Sequence, residues 1–155
     1  MLIMLEGIDG VGKTTIAELL APILDAEIIH ATRETPNDFA WFFSIINKAR
    51  TQNVIADRFF WGQFVYQEPE ERKISSADLR ALEYMIYKIG GKIIYVTAPR
   101  DIVEKRLKKR EEKLSLPFET LYERYELLVD TAKVPIIKYD TSCGKVGVTD
   151  VGNGI

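Results

Sequence analysis

The stretch Gly7-Ile8-Asp9-Gly10-Val11-Gly12-Lys13-Thr14 constrains this chain more than any other. It fits G-x-x-x-x-G-K-[ST] in full, and it lies between an apolar run, Leu2 to Leu5, and a helical pattern from about Lys13. A run that is apolar at every residue reads as a strand buried on both faces, as in a parallel sheet. The helical pattern sets Ile16, Leu19, Leu20, Ile23 and Leu24 on one side, and Pro22 is expected to end or kink it. Strand, glycine-rich turn and helix in that order predict a phosphate cradle. Glycines let successive N–H groups point inward, and the helix adds the positive end of its dipole. Lys13 is expected on the β- and γ-phosphates of ATP, facing solvent in the empty loop, with the Thr14 hydroxyl on Mg²⁺. Gly7, Gly10, Val11, Gly12, Lys13, Thr14 and Thr15 are the loop's candidate ATP-binding residues.

Short apolar runs alternate with helical patterns along the rest of the chain. Strands are expected at Glu27–Thr32, Asn53–Ala56, Ile93–Thr97 and Pro135–Tyr139. Helices are expected at Asn37–Ala49, capped by Asn37 or Asp38, at Ser76–Lys88 behind Ser75-x-x-Asp78, from near Asp101, and at Phe118–Thr131. Strands separated by helices pair in parallel, since each crossover returns the chain to the same sheet edge. The expected fold is therefore α/β: a doubly wound five-stranded parallel sheet with helices on both faces. Its ligands belong beyond the carboxyl ends of the strands. The expected domain covers residues 1–142, and the Gly-rich tail, 143–155, is expected to be poorly ordered.

A formal charge of −2 over 155 residues points to neither nucleic acid nor an anionic membrane as partner. The lone cysteine, Cys143, rules out a disulfide framework within the chain and suits a reducing cytoplasm. No apolar run is long enough to span a bilayer, and the first residues lack the pattern of a signal peptide. The expected location is cytoplasmic. The expected partner is a nucleotide substrate, and homodimerisation is left open.

The second strand ends in Thr32-Arg33-Glu34-Thr35-Pro36 and the third in Asp57-Arg58. Two arginines and two carboxylates thus approach the crevice of the phosphate loop. An acceptor that is already a phosphate needs cations and no base, because its attacking oxygen is anionic. A hydroxyl acceptor needs a carboxylate to take its proton. The arginine pair favours the first. A guanine-reading Asn-Lys-x-Asp is missing, for Asn47-Lys48 runs on to Ala49-Arg50. His30, the sole histidine, reads as structural.

These residues resemble the thymidylate kinases, within the P-loop nucleoside monophosphate kinases. The similarity rests on EGIDGVGKTT, on Thr32-Arg33-Glu34 followed by Thr35-Pro36, and on DRFFWGQFVYQ. It implies ATP-dependent, Mg²⁺-assisted phosphorylation of a deoxynucleoside monophosphate, most naturally dTMP to dTDP, within nucleotide biosynthesis. It also implies that Asp9 contacts the acceptor's sugar and phosphate region and that Arg58 holds its phosphate. Gln63 would lie near the base and Tyr66 against the deoxyribose. Arg33, Glu34 and Asp57 complete the acceptor set, with Thr14 and Asp57 as the metal candidates. IYVTAPRDIVEKRLKKR resembles the strand and helix leading into a mobile lid, here about 106–119, with Arg106 and Arg110 at its arginine positions. Arg124-Tyr125 is similar to the helix that closes the lid, and Tyr139-Asp140-Thr141 to the loop beside adenine. Lys13, Arg58, Arg110 and Asp9 are the implied catalytic residues.

The chain also departs from that pattern. The region between Pro36 and Asn53 is short, and the family's C-terminal helix is missing. Phe43 has the spacing of a thymine-stacking residue, but Asn47 stands where the family reads the base with arginine; Lys48 or Arg50 could substitute. Phe39, Trp41, Phe42 and Phe43 equally suit the core face of a helix. Where some members carry an arginine in the loop, this chain has Gly10, which shifts that task to the lid. The segment from Arg110 to Leu128 also resembles the lid of deoxynucleoside kinases, in which Glu34 would be the base. A catalytically silent nucleotide-binding module is the remaining alternative.

Overall fold

The computed structural model describes residues 1–143, so the tail from 144 onward lies outside the described residues. Five strands, β1 (Leu2–Glu6), β2 (Ala26–His30), β3 (Asn53–Asp57), β4 (Lys92–Thr97) and β5 (Ile136–Asp140), pair in parallel in the order β2-β3-β1-β4-β5. The central strand β1 is buried at every residue, as its unbroken apolar run requires. Its Leu5 pairs with Asp57 of β3 and with Ile94 of β4, so the loops leaving β1 and β3 start at the same level. The chain leaves β1 toward β2 and leaves β3 toward β4. The sheet therefore switches direction between β1 and β3, where an open α/β sheet forms its crevice.

Among the described residues, six helices accompany the sheet: α1 (Lys13–Leu24), α2 (Phe39–Lys48), α3 (Trp61–Tyr66), α4 (Ser76–Lys88), α5 (Arg100–Lys109) and α6 (Phe118–Thr131). Right-handed crossovers set α1 on one face and α2, α4 and α6 on the other. In agreement, α1 packs on β1, β2 and β3, α2 meets α4, and α3 meets α6. The Ser75–Asp78 capping box at the head of α4 forms as expected, and Asp38 caps α2 by accepting from the Trp41 amide at 2.8 Å.

Pro22 does not end α1, which runs on to Leu24. Pro22 and Glu18 are both exposed, so the turn of α1 that lacks the Pro22 N–H lies on its solvent side. Helix α3 has no counterpart among the expected elements. Gly62 weakens its propensity, and packing sustains it instead: Trp61 and Val65 are buried, and Arg124 of α6 donates to the Val65 carbonyl at 3.0 Å.

Candidate functional site

The phosphate loop occupies the bend between β1 and α1. Gly7 adopts φ 148°, and a Cβ there would lie 2.2 Å from the Val96 carbonyl oxygen, so no other residue fits. Gly10 adopts φ 89°, with a would-be Cβ 3.0 Å from Leu107 Cγ, which crowds out a loop arginine at this position. The Val11 carbonyl accepts from Thr141 Oγ1 at 2.6 Å and from Arg106 at 3.1 Å. Arg106 also donates to the Gly10 carbonyl and twice to Thr141. Arg106 and Thr141, both expected to bind ATP, thus brace the loop to β5 and line the cavity above it.

Lys13 is not solvent-facing. Its side chain is only 5% exposed and donates to the Gly7 and Ile8 carbonyls at 2.7 and 2.9 Å. The loop's inward carbonyls hold the ammonium. Burial, and then the Arg58 charge, lower its pKa to about 8. Phosphates should restore the ordinary value. ATP binding near pH 9 is therefore expected to take up a fraction of a proton, measurable by calorimetry in buffers of different ionisation enthalpy. Affinity should fall as pH rises above 8; a pH-independent affinity would contradict this environment for Lys13.

Thr14 donates to Asp57 Oδ2 at 2.6 Å, and His30 Nδ1 lies 3.0 Å from the same oxygen. A carboxylate only accepts, so this contact selects the His30 tautomer protonated at Nδ1. Asp57 Oδ1 is buried with no hydrogen-bond partner. An orphaned carboxylate oxygen beside a hydroxyl suits Mg²⁺, which prefers oxygen and takes few protein ligands. Among the described residues, no group of three or more His, Cys, Asp or Glu side chains could enclose a metal. Phosphate and water would complete the shell.

Two cavities meet at Arg58. One, of about 690 Å³, lies above the loop and is lined by Gly10, Gly12, Lys13, Thr14, Thr15 and Arg110, among others. The other, of about 580 Å³, is lined by Asp9, Arg33, Gln63 and Tyr66, with Lys73 and Lys113 beside them. Arg58 lines both. It adopts a left-handed backbone, φ 65°, which costs about 1–2 kcal/mol for a residue with a Cβ, and pairs with Asp9. The Asp9 amide donates to Tyr66 Oη at 3.0 Å. Gln63 is committed to backbone at both ends of its amide, donating to the Asn37 carbonyl at 2.5 Å and accepting from the Lys73 amide at 2.8 Å.

Some expected residues are not brought to this crevice. Glu34 is exposed and lines neither cavity. Phe43 is 40% exposed, stacks on Phe39 and lines neither cavity. Phe42 is core, edge-to-face with Phe59. Lys48 pairs with Glu27 at 2.6 Å, which commits it away from any base. The aromatic side chain of the second cavity that sequence reasoning passed over is Phe59, hidden in the DRFFWGQFVYQ run. Glu6 was also missed. It is wholly buried, and burial raises its pKa to about 7 against the opposing pull of Lys13. Its signal was a carboxylate ending an otherwise apolar strand.

Solved structures share this fold. The YorR protein of Bacillus subtilis, in complex with phosphorylated GDP, is 24% identical with a TM-score of 0.75, covering 99% of this chain and 92% of its own. Deoxyadenosine kinase from M. mycoides with bound dCTP is 21% identical, with a TM-score of 0.62 and complete coverage of both chains. The chain has the α/β fold of these proteins, a five-stranded parallel sheet between helices. Thymidylate kinase from Candida albicans is a more distant match within that fold, 12% identical with a TM-score of 0.53, covering 99% of this chain and 88% of its own. No protein-family model and no curated protein matches the sequence. No helix among the described residues is long and apolar enough to cross a membrane.

Proposed function

We propose that this chain transfers the γ-phosphoryl group of ATP to a deoxynucleoside monophosphate, with dTMP the first acceptor to test. The observation that carries the reading is the cation set of the second cavity. Arg33, Arg58, Lys73 and Lys113 line it and outnumber its carboxylates, Asp9 (already paired with Arg58) and Glu71, while Glu34, the carboxylate a hydroxyl acceptor would use, does not line it. An acceptor phosphate oxygen would attack the γ-phosphorus as the bond to the β–γ bridging oxygen breaks and ADP leaves. No proton moves in that step, so no base is needed.

Lys13 holds the β- and γ-phosphates once it leaves the Gly7 and Ile8 carbonyls. Thr14 and Asp57 would hold Mg²⁺, which neutralises charge on the donor phosphates. Arg58, at the junction of the cavities, exchanges its Asp9 partner for the acceptor phosphate. The segment 106–119 acts as the lid. Arg106 is already committed to the loop, which leaves Arg110, exposed and paired with Glu112 at 3.3 Å, as the lid arginine that approaches the transferred group.

A deoxynucleoside kinase is the second reading, favoured by the similarity to deoxyadenosine kinase at full coverage. Incubation with Mg-ATP and a panel of nucleosides and nucleoside monophosphates separates the two. Turnover of a monophosphate supports the first reading. Turnover of nucleosides alone supports the second, and turnover of neither supports a silent binding module.

Arg110→Ala is expected to lower kcat by about 10- to 100-fold while changing KM less, because its contact forms mainly in the transition state. The control is Lys105→Ala, an exposed α5 lysine that lines neither cavity. Lys113, which reads from sequence as an exposed control, borders the acceptor cavity and is unsuitable. Equal losses from Arg110→Ala and Lys105→Ala would make α5 an ordinary solvated helix.

A further inference from the structure

Glu6 has no exposed surface and no part in the transfer described above. The four residues before it in β1 are apolar, and a fifth hydrophobe would extend the same packing. Burying a carboxylate instead is unfavourable unless partners satisfy it. Its Oε1 accepts from the Phe59 amide at 3.0 Å, and its Oε2 accepts from the Tyr125 hydroxyl at 3.4 Å.

The first partner lies where the β1–β3 ladder ends. The Arg58 amide donates to the Leu5 carbonyl at 3.1 Å, as a continuing ladder would have it. Arg58 then turns left-handed, φ 65°, which takes the next amide out of line with the strand. The Glu6 side chain receives that amide. A residue as large as arginine holds this backbone only where its surroundings over-determine it. Here the two anchors are the Leu5 carbonyl before the turn and the Glu6 carboxylate after it. The second partner, Tyr125, packs edge-to-face on Tyr66, whose hydroxyl accepts from the Asp9 amide. One buried carboxylate therefore bears on the turn that carries Arg58, and on the tyrosine pair behind the loop that carries Asp9.

We propose that Glu6 is a positioning residue for Arg58, holding the left-handed turn after β3 so that the guanidinium spans the junction of the two cavities. The inference rests on the reading in which Arg58 clamps the acceptor phosphate, but the turn can be tested apart from it. Glu6→Leu keeps the apolar packing of β1 and removes the acceptor of the Phe59 amide. Glu6→Gln keeps one carbonyl oxygen for that amide without the charge. In Glu6→Leu, hydrogen exchange at the Phe59 amide is expected to quicken by about tenfold or more, and acceptor KM to rise by a similar factor. ATP affinity, read at pH 6, where Lys13 stays charged, should change far less than acceptor KM. Glu6→Gln should show both changes more weakly, by about threefold. In an Arg58→Ala background, Glu6→Leu should add nothing to acceptor KM, whereas a general loss of structure would multiply the two effects.

A folded Glu6→Leu with unchanged Phe59 exchange overturns the proposal, as do independent effects with Arg58→Ala. Should Glu6→Leu not fold, Glu6→Gln decides: faster exchange with raised KM supports it, and both unchanged overturns it. If the wild type phosphorylates no acceptor, the functional reading fails, while Phe59 exchange still reports whether Glu6 holds the turn.

Discussion

Lys13→Ala is expected to lower γ-phosphoryl transfer by at least about 10²–10³-fold, the scale for removing one pre-placed charge-stabilising donor. ATP affinity should fall with it. The ammonium sits within the loop on the Gly7 and Ile8 carbonyls, ready to move onto phosphate oxygens as they enter. The fold should survive. The lowered pKa of Lys13 means that its charged form is less favourable folded than unfolded, so at pH 7 its loss relieves a burial cost. Water in the open cavity can replace it on the two carbonyls. The melting temperature should stay within a few degrees while a coupled ADP-release assay loses its signal. A variant with near wild-type kcat would overturn the phosphate-loop assignment.

Arg58→Ala and Arg33→Ala should each weaken acceptor binding by about 10- to 150-fold, the range for one lost hydrogen bond to a charged group. Arg58→Ala should have the larger effect, because Arg58 lines both cavities and Arg33 only the acceptor side. ATP affinity should change far less, since the donor phosphates also meet the loop amides and Lys13. Glu34→Gln should retain substantial activity: Glu34 lines neither cavity, and a phosphate oxygen carries no proton to remove. The nucleoside-kinase reading inverts these outcomes. If thymidine is preferred to dTMP and Glu34→Gln is inactive, Glu34 is the base and the monophosphate assignment falls. Initial rates of the variants with both acceptors decide between them.

Several features of this protein are local, and the sequence alone determined them. The loop needs glycine where a Cβ would strike the Val96 carbonyl, and the unbroken run of β1 needs two flanking strands. Alternating strands and helices leave a parallel sheet as the consistent fold, and the Ser75–Asp78 box marks the head of α4 to the residue. Each follows from backbone sterics, hydrogen-bond closure or periodicity over a few neighbours.

Other features depended on distant partners, and only the tertiary structure decided them. Lys13 reads from sequence as an exposed ammonium, but the fold turns it onto its own loop. Phe43 and Phe42 are adjacent on one short helix, yet one is exposed and the other is core, because only one side of α2 meets the aromatic cluster around Phe59. Helix α3 exists because α6 receives it, and Arg106 is committed to the loop because β5 brings Thr141 to meet it. The Glu6 carboxylate opens the EGIDGVGKTT run, but nothing local in that run says what it holds. Its partners Phe59 and Tyr125 are 53 and 119 residues away in the chain, a separation that no local pattern encodes.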